Sequence, residues 1–351
     1  MRPSTNNVGA IRATAAAVAI CALLVTACGE AAITTDPGAQ PSVASEAASS
    51  ASGAPSEPQT AGSQALAVSG LDGGTLYGVA ASRNSTVAVG SSGDAPAAWT
   101  SGDGVNWQPA AVGAADGVPQ LRAAAFSQDQ GIAFGGDDMD VSQVWTSTDD
   151  GLEWVAGSGA AGVDGRVNAL GVDGDTWLAV GDQIDPESGE SAGGRLWTSD
   201  GGQSWQAASA DLATDEGTIS DVAAADGTVV VVGFDIAGGK VWTGTAATVQ
   251  PVVEKQFEAV TMQGVATTDD GFVVLGQGVG DLQPIAWTSP DGIHWTRLDL
   301  DPAAFPPEAE IHDLTTVDDV LVAVGAAPEG GVVWTSEDGK KWTRAAAASA
   351  Q

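Results

Sequence analysis

From residue 64 onward, short apolar runs alternate with breaks rich in glycine and aspartate, in one order repeated six times. Each unit opens on a small-residue run: LYGVAAS (76–82), LRAAAFS (121–127), VNALGVD (167–173), ISDVAAA (219–225), MQGVATT (262–268) and IHDLTTV (311–317). A tight turn follows, as at Asp226-Gly227 and Asp270-Gly271, which suits a hairpin. The next run is solidly apolar and closes on glycine: VAVG (87–90), IAFG (132–135), LAVG (178–181), VVVG (230–233), FVVLG (272–276) and LVAVG (321–325). A third run carries a Trp-Thr pair, and a compact turn then delivers a second Trp and a more polar fourth run such as Trp107–Val112. The Trp-Thr pairs begin at Trp99, Trp145, Trp197, Trp242, Trp287 and Trp334, spaced 46, 52, 45, 45 and 47 residues apart.

Four strands per unit and a period in the forties predict an all-β fold, a six-bladed β-propeller of four-stranded blades over residues 64–347. Alanine and glycine in the first strand suit a hub where six strands converge. The apolar second strand suits burial between neighbouring blades. β-branched runs without a 3.6-residue period argue against helices, and the constant period argues against two stacked sandwiches.

The turns between third and fourth strands carry the sharpest signal. Ser147, Asp149, Gly151 and Trp154 read S-x-D-x-G-x-x-W, and Thr198, Asp200, Gly202 and Trp205 read the same with threonine first. Three versions are one residue shorter: Ser101, Asp103, Gly104 and Trp107; Ser289, Asp291, Gly292 and Trp295; Ser336, Asp338, Gly339 and Trp342. Unit four has GTAATVQPV after Trp242-Thr243, with neither aspartate nor second tryptophan. An aspartate at this spacing accepts backbone N–H groups two or three residues on, glycine supplies a positive φ, and tryptophan caps the blade edge. Six Trp-Thr pairs, five closing tryptophans and Trp177 account for all 12 tryptophans, so regular packing explains them better than sugar platforms. These corners resemble the Asp-box, or bacterial neuraminidase repeat, of sialidases, sortilin-type receptor domains and photosystem assembly factors.

The resemblance implies a sialidase-like fold, and for a sialidase it implies three arginines clamping a carboxylate, a tyrosine nucleophile with a glutamate partner, and an aspartate acid/base. Tyr77, the sole tyrosine, and Arg122 lie on first strands and are the catalytic candidates. The other propeller arginines are Arg83, Arg166, Arg195, Arg297 and Arg344, and the last two follow corner tryptophans. The Arg-Ile-Pro signature of the family is absent, so the expectation is a propeller without the sialidase catalytic signature. Nucleophile elbows, P-loops and zinc motifs are missing too.

The N-terminus reads as an address. Arg2 and Arg12 give a positive n-region ahead of an apolar run, Ala13 to Ala27, of 15 residues, short of the ~20 that span a bilayer as a helix. Val25-Thr26-Ala27-Cys28 resembles the lipobox of bacterial lipoproteins, in which the cysteine is acylated; the consensus carries leucine where this chain has Val25. The expected domains are a signal peptide (1–27), lipidated Cys28 with an Ala/Ser/Pro-rich disordered linker (28–63), and the propeller. Acylation would hold the protein to the outer face of the bacterial membrane without a transmembrane helix.

Composition narrows the partners. The formal net charge is −33, which disfavours nucleic acid and anionic membranes as charge partners. Both cysteines, Cys21 and Cys28, precede the propeller, and His294 and His312 are the only histidines, so neither a disulfide framework nor a His-rich metal site is expected. Acidic connections opposite the corners (Asp137, Asp138, Asp140; Asp182, Asp185, Glu187, Glu190; Asp211, Asp215, Glu216; Asp299, Asp301, Glu308, Glu310) would suit Ca²⁺ by their oxygens but lack a calcium-loop spacing, so a solvated rim with no cofactor is expected. His312 is a candidate for the channel mouth. The functional expectation is a monomeric, non-catalytic envelope protein binding a protein or glycan through its acidic loop face. The alternatives are a sialidase-type hydrolase, degenerate or not, and an assembly factor for an envelope complex.

Overall fold

The computed structural model describes residue 70 and residues 74–346, apart from 103–105, 137–141, 158–159, 186, 188–190, 209–211, 213, 215–216, 281, 307–308, 318 and 328–329. Cys28, the preceding apolar run, the linker and Gln64–Ser69 lie outside the described residues.

Six four-stranded antiparallel blades form a β-propeller. Blade 1 is β1 (Gly74–Ala81), β2 (Thr86–Ser92), β3 (Ala95–Ser101) and β4 (Gln108–Pro109), and β5 (Ala111–Val112) leads onward. Blade 2 is β6 (Leu121–Ser127), β7 (Gln130–Gly135), β8 (Gln143–Ser147) and β9 (Glu153–Ala156). Blade 3 is β10 (Gly165–Asp173), β11 (Thr176–Ile184), β12 (Ser191–Ser199) and β13 (Gln206–Ala207). Blade 4 is β14 (Thr218–Ala225), β15 (Thr228–Asp235), β16 (Gly238–Thr245) and β17 (Thr248–Val252). Blade 5 is β18 (Val260–Thr268), β19 (Gly271–Gly278), β20 (Pro284–Ser289) and β21 (Thr296–Leu298). Blade 6 is β22 (Glu310–Val317), β23 (Val320–Ala327), β24 (Gly330–Ser336) and β25 (Thr343–Ala346). The six first strands touch one another in a closed ring, β22 returning to β1.

Small residues are enforced at the hub: a Cβ on Gly264 of blade 5 would stand 2.7 Å from the Cβ of Leu314 of blade 6. Second strands are buried on both faces, as Val229, Val230, Val231 and Val232 are. Apolar clusters fill five seams, from blades 1–2 round to blades 5–6. At the sixth seam, where the two ends of the ring meet, the Val79 N–H donates to Asp313 Oδ2 at 2.9 Å. Blade 6 draws all four strands from the C-terminal part of the chain, so β25 supplies its outer strand.

In blades 2, 3 and 6 the tryptophan of the Trp-Thr pair reaches back to the segment that enters its own blade. Trp145 donates to the Gly113 carbonyl (2.7 Å), Trp197 to Asp164 Oδ1 (3.0 Å) and Trp334 to the Ala304 carbonyl (2.8 Å). β5 runs parallel along β9, adding a fifth strand to blade 2, and the Trp205 N–H donates to the Ala161 carbonyl in the same manner on blade 3. Incoming chain thus straps each of these outer edges and shields its unpaired backbone groups.

Candidate functional site

Every first strand carries one β-bulge, and the bulged residues are Tyr77, Arg122, Asn168, Ser220, Gln263 and His312. The cause lies in the glycine that closes the apolar run of each second strand. Gly90, Gly135, Gly181, Gly233, Gly276 and Gly325 pair with the residue just before the bulge. A Cβ there would meet the carbonyl of the residue preceding that partner, at 1.8 Å for Gly90 against Thr75 and 1.9 Å for Gly181 against Arg166. The bulge needs a bare backbone opposite it, and it re-aims one side chain per blade. Five of the six (Tyr77, Arg122, Asn168, Ser220 and His312) line an axial cavity of about 230 Å³. Gln263 Nε2 donates to Thr261 Oγ1 at 3.2 Å. The bulges sit early in the first strands, at the end ringed by the second-to-third and fourth-to-first connections, opposite the corners.

Two carboxylates join this cavity. Asp221 and Asp313 each follow a bulge, and each bridges to the next blade. Asp221 accepts from the N–H of Val222 and of Val265, both at 2.7 Å. Asp313 accepts from Leu314 (2.8 Å) and from Val79 (2.9 Å). Burial pushes the Asp221 carboxyl well above the usual carboxylate range, and the charge of Asp313 adds to the rise against the pull of the two N–H groups. Burial likewise pushes Asp313 up to about 7 against its N–H bonds. Both acids bind protons more tightly folded than unfolded, so their contribution favours the fold most at acid pH and declines as pH rises from about 4 towards 7. Arg122 and Tyr77 line the same cavity as Asp313, and His312 and Glu310 lie on its own strand. The fall in Tm between pH 5 and pH 8 is expected to be shallower in Asp313→Asn than in the parent, measured by scanning calorimetry; an unchanged slope would remove Asp313 as a contributor.

The corners close as hydrogen-bonded turns. In blade 2 the Gly151 N–H donates to Ser147 Oγ (3.1 Å) and the Glu153 N–H to Asp149 Oδ1 (3.0 Å). In blade 5 Ser289 Oγ accepts from Gly292 while Asp291 Oδ1 accepts from Ile293 and His294. In blade 6 Ser336 and Asp338 do the same for Gly339, Lys340 and Lys341. Trp154, Trp205, Trp295 and Trp342 each donate to the carbonyl of their own corner glycine. Those glycines have positive φ and also dock on the preceding blade: a Cβ on Gly202 would lie 1.7 Å from Ile132 Cδ1. Blade 3 departs from the sequence expectation. Its closing hydroxyl is Ser199, which accepts from Gly202 at 2.8 Å, rather than Thr198. Gly201 then holds the place of Asp291 and Asp338, and Asp200 stands one residue early, because the turn is a residue shorter than that of blade 2. In blade 1 Ser101 is buried, Trp107 is half-buried, and Asp103 and Gly104 lie outside the described residues. Unit four replaces the corner with a hairpin, Thr245 pairing Thr248, and so extends its outer strand.

The blade 5 corner adds a local titrating pair, His294 Nδ1 lying 2.7 Å from Asp291 Oδ2. The Asp291 hydrogen bond raises the His294 pKa, and the His294 N–H and ring together hold Asp291 well below the usual range. The histidine's favourable term is complete below about 6.5 and is lost as pH rises through its raised folded value. In an NMR titration His294 should titrate above 6.5, and Asp291→Asn should return it to the ordinary range.

The acidic rim is less uniform than its sequence suggests. Asp182 is fully buried and is no surface oxygen: Arg166, Asn168 and Thr218 donate to it from blades 3 and 4. Glu187, Asp299, Asp301 and Glu310 are exposed, whereas Asp137, Asp138, Asp140, Glu190, Asp211, Asp215, Glu216 and Glu308 lie outside the described residues. Among the described residues no three His, Cys, Asp or Glu side chains are grouped to hold a metal ion. His312 Nε2 lies 3.7 Å from Glu310 Oε2 at the cavity edge. Of the arginines, Arg83 pairs with Asp129, Arg166 with Asp182, and Arg195 donates to Gln183; Arg122 alone lines the cavity.

No family model matches the sequence, and no curated protein matches it. Solved structures do match the fold. The SapL1 lectin in complex with α-methyl fucoside aligns with a TM-score of 0.55 at 14% identity, covering 80% of this chain and 100% of that one. A fucose-complexed lectin of Aleuria aurantia aligns at 0.52 and 11% identity, covering 78% and 95%. The Trypanosoma rangeli sialidase in complex with sialic acid aligns at 0.50 and 12% identity, covering 76% of this chain and 54% of that one. At these identities the likeness shows the fold, a β-propeller.

Proposed function

We propose that the protein is a non-catalytic binding propeller, held on the outer face of a bacterial membrane through acylated Cys28, that engages its ligand on the face where the axial cavity opens. The observation that supports this most is the make-up of that cavity: five bulged residues line it, yet Arg122 is the one arginine among its lining residues. A carboxylate clamp of the sialidase kind needs several cationic partners, and Arg166 and Arg195 are committed to Asp182 and Gln183 instead. The similarity to sugar-bound lectins and to a sialidase supports a glycan-related ligand. The negative charge of the chain also turns it away from anionic partners.

Two measurements test the reading. The purified propeller should leave a fluorogenic sialoside intact; hydrolysis lost in Tyr77→Phe would replace binding by catalysis. The full chain should partition into detergent with the envelope, and Cys28→Ser should release it; a freely soluble parent protein would remove the anchor.

A further inference from the structure

Positions that build the ring repeat from blade to blade, whereas positions that face the axis do not. Glycine closes every apolar second-strand run, and a Trp-Thr pair lies on every third strand. Against that uniform frame the five bulged residues lining the cavity are all different: a phenol, a guanidinium, a carboxamide tied to Asp182, a hydroxyl and an imidazole. A channel serving only to close the ring would have no use for such variety, and one asymmetric ligand on the axis would. We infer that the axial cavity is a site for a single neutral sugar ring, a compact polyhydroxylated ligand presented at the end of a glycan. This inference rests on the binding reading above and deepens it.

Three observations select that class. Size comes first: about 230 Å³ is below the roughly 300–1,000 Å³ of pockets for drug-sized molecules, and it admits one ring rather than a chain of them. Hydrogen-bonding character comes second. Tyr77 and Ser220 both donate and accept, Arg122 donates, and Asp221 and Asp313 offer acceptor lone pairs beyond the two N–H bonds that each receives. Sugar hydroxyls, which donate and accept at once, match such a mixed wall. Charge comes third. Burial raises both carboxyls, Asp313 to about 7, which weakens the site for an ammonium ion, and Arg122 is the one arginine among the lining residues, short of the several cations that clamp a carboxylate. Tyr77 and His312 add ring faces on neighbouring blades, since blade 6 adjoins blade 1.

The test is saturation-transfer NMR followed by calorimetric titration of the parent protein. Its probes are the methyl glycosides of glucose, galactose, mannose, fucose and N-acetylglucosamine, with N-acetylneuraminic acid alongside. At least one neutral glycoside should bind. Ser220→Trp, which fills the cavity from blade 4, should weaken it at least tenfold with Tm unchanged. Should that variant fail to fold, Tyr77→Ala removes a wall from the opposite side and should weaken the same glycoside. Binding unaffected by the variant that folds would overturn the axial site while leaving a glycan-binding propeller in place. Binding of N-acetylneuraminic acid alone, or of none of the six, would overturn the neutral-sugar assignment. In that last case capture of a partner from solubilised envelope, equal for parent and Ser220→Trp, would still uphold the binding reading.

Discussion

Asp182→Ala is expected to destabilise the propeller by about 3 kcal/mol, because it strands a cation and three hydrogen-bond donors in the wall between blades 3 and 4. The carboxylate is fully buried and accepts from Arg166 Nη2 (2.7 Å), Asn168 Nδ2 (2.9 Å), Thr218 Oγ1 (2.9 Å) and the Ile219 N–H (3.3 Å). Arg166 and Asn168 belong to β10, and Thr218 and Ile219 to β14, so one side chain ties two blades together. Breaking a buried pair costs about 3–5 kcal/mol, and the lower end applies because the Arg166 side chain is 23% exposed and can rehydrate in part. Urea denaturation measures the loss. The double variant Asp182→Ala/Arg166→Met should recover part of it by removing the stranded charge. A loss under about 1 kcal/mol would mean that water replaces the carboxylate freely.

Gly90→Ala should cost about 3 kcal/mol, the upper range for overpacking, because the obstacle is backbone rather than a movable side chain. The new Cβ would lie 1.8 Å from the Thr75 carbonyl oxygen, inside the bulge that aims Tyr77 at the axis. Relief requires that β1 and β2 part or that the bulge flatten, and either movement shifts the Tyr77 ring, observable as altered aromatic resonances. Gly102→Ala is the control: nothing among the described residues stands within 4 Å of its Cβ position, and its stability should remain within about 0.5 kcal/mol of the parent. Equal effects at the two positions would show that the bulge does not depend on the bare glycine.

Much of the axial site was present in the sequence without being legible as a site. The run-closing glycines were visible in all six units, and each marks the register at which a bulge must lie. Counting back from that register would have named the six bulged residues. Tyr77, Arg122 and His312 stood out as rare residue types on first strands, whereas Asn168 and Ser220 look like ordinary strand-surface polar residues until the bulge turns them inward. Asp221 and Asp313 were hidden for a different reason. Their partners Val265 and Val79 lie 44 and 234 residues away, and no local spacing records a bond of that reach.

Period and patterning by themselves determined the class of strands, their grouping in fours and the number of blades, because each of those rests on chemistry within one unit of about forty-five residues. Only the tertiary structure decided what crosses from blade to blade: that Asp182 is a buried tie rather than a rim oxygen, that Ser199 closes the third corner, and that five unlike bulged residues line one axial cavity. The reason is geometric. Hydrogen bonds and apolar periodicity repeat along the strand and leave a trace in the chain order, whereas contacts between sheets packed radially join residues by proximity that exists only once the ring has closed.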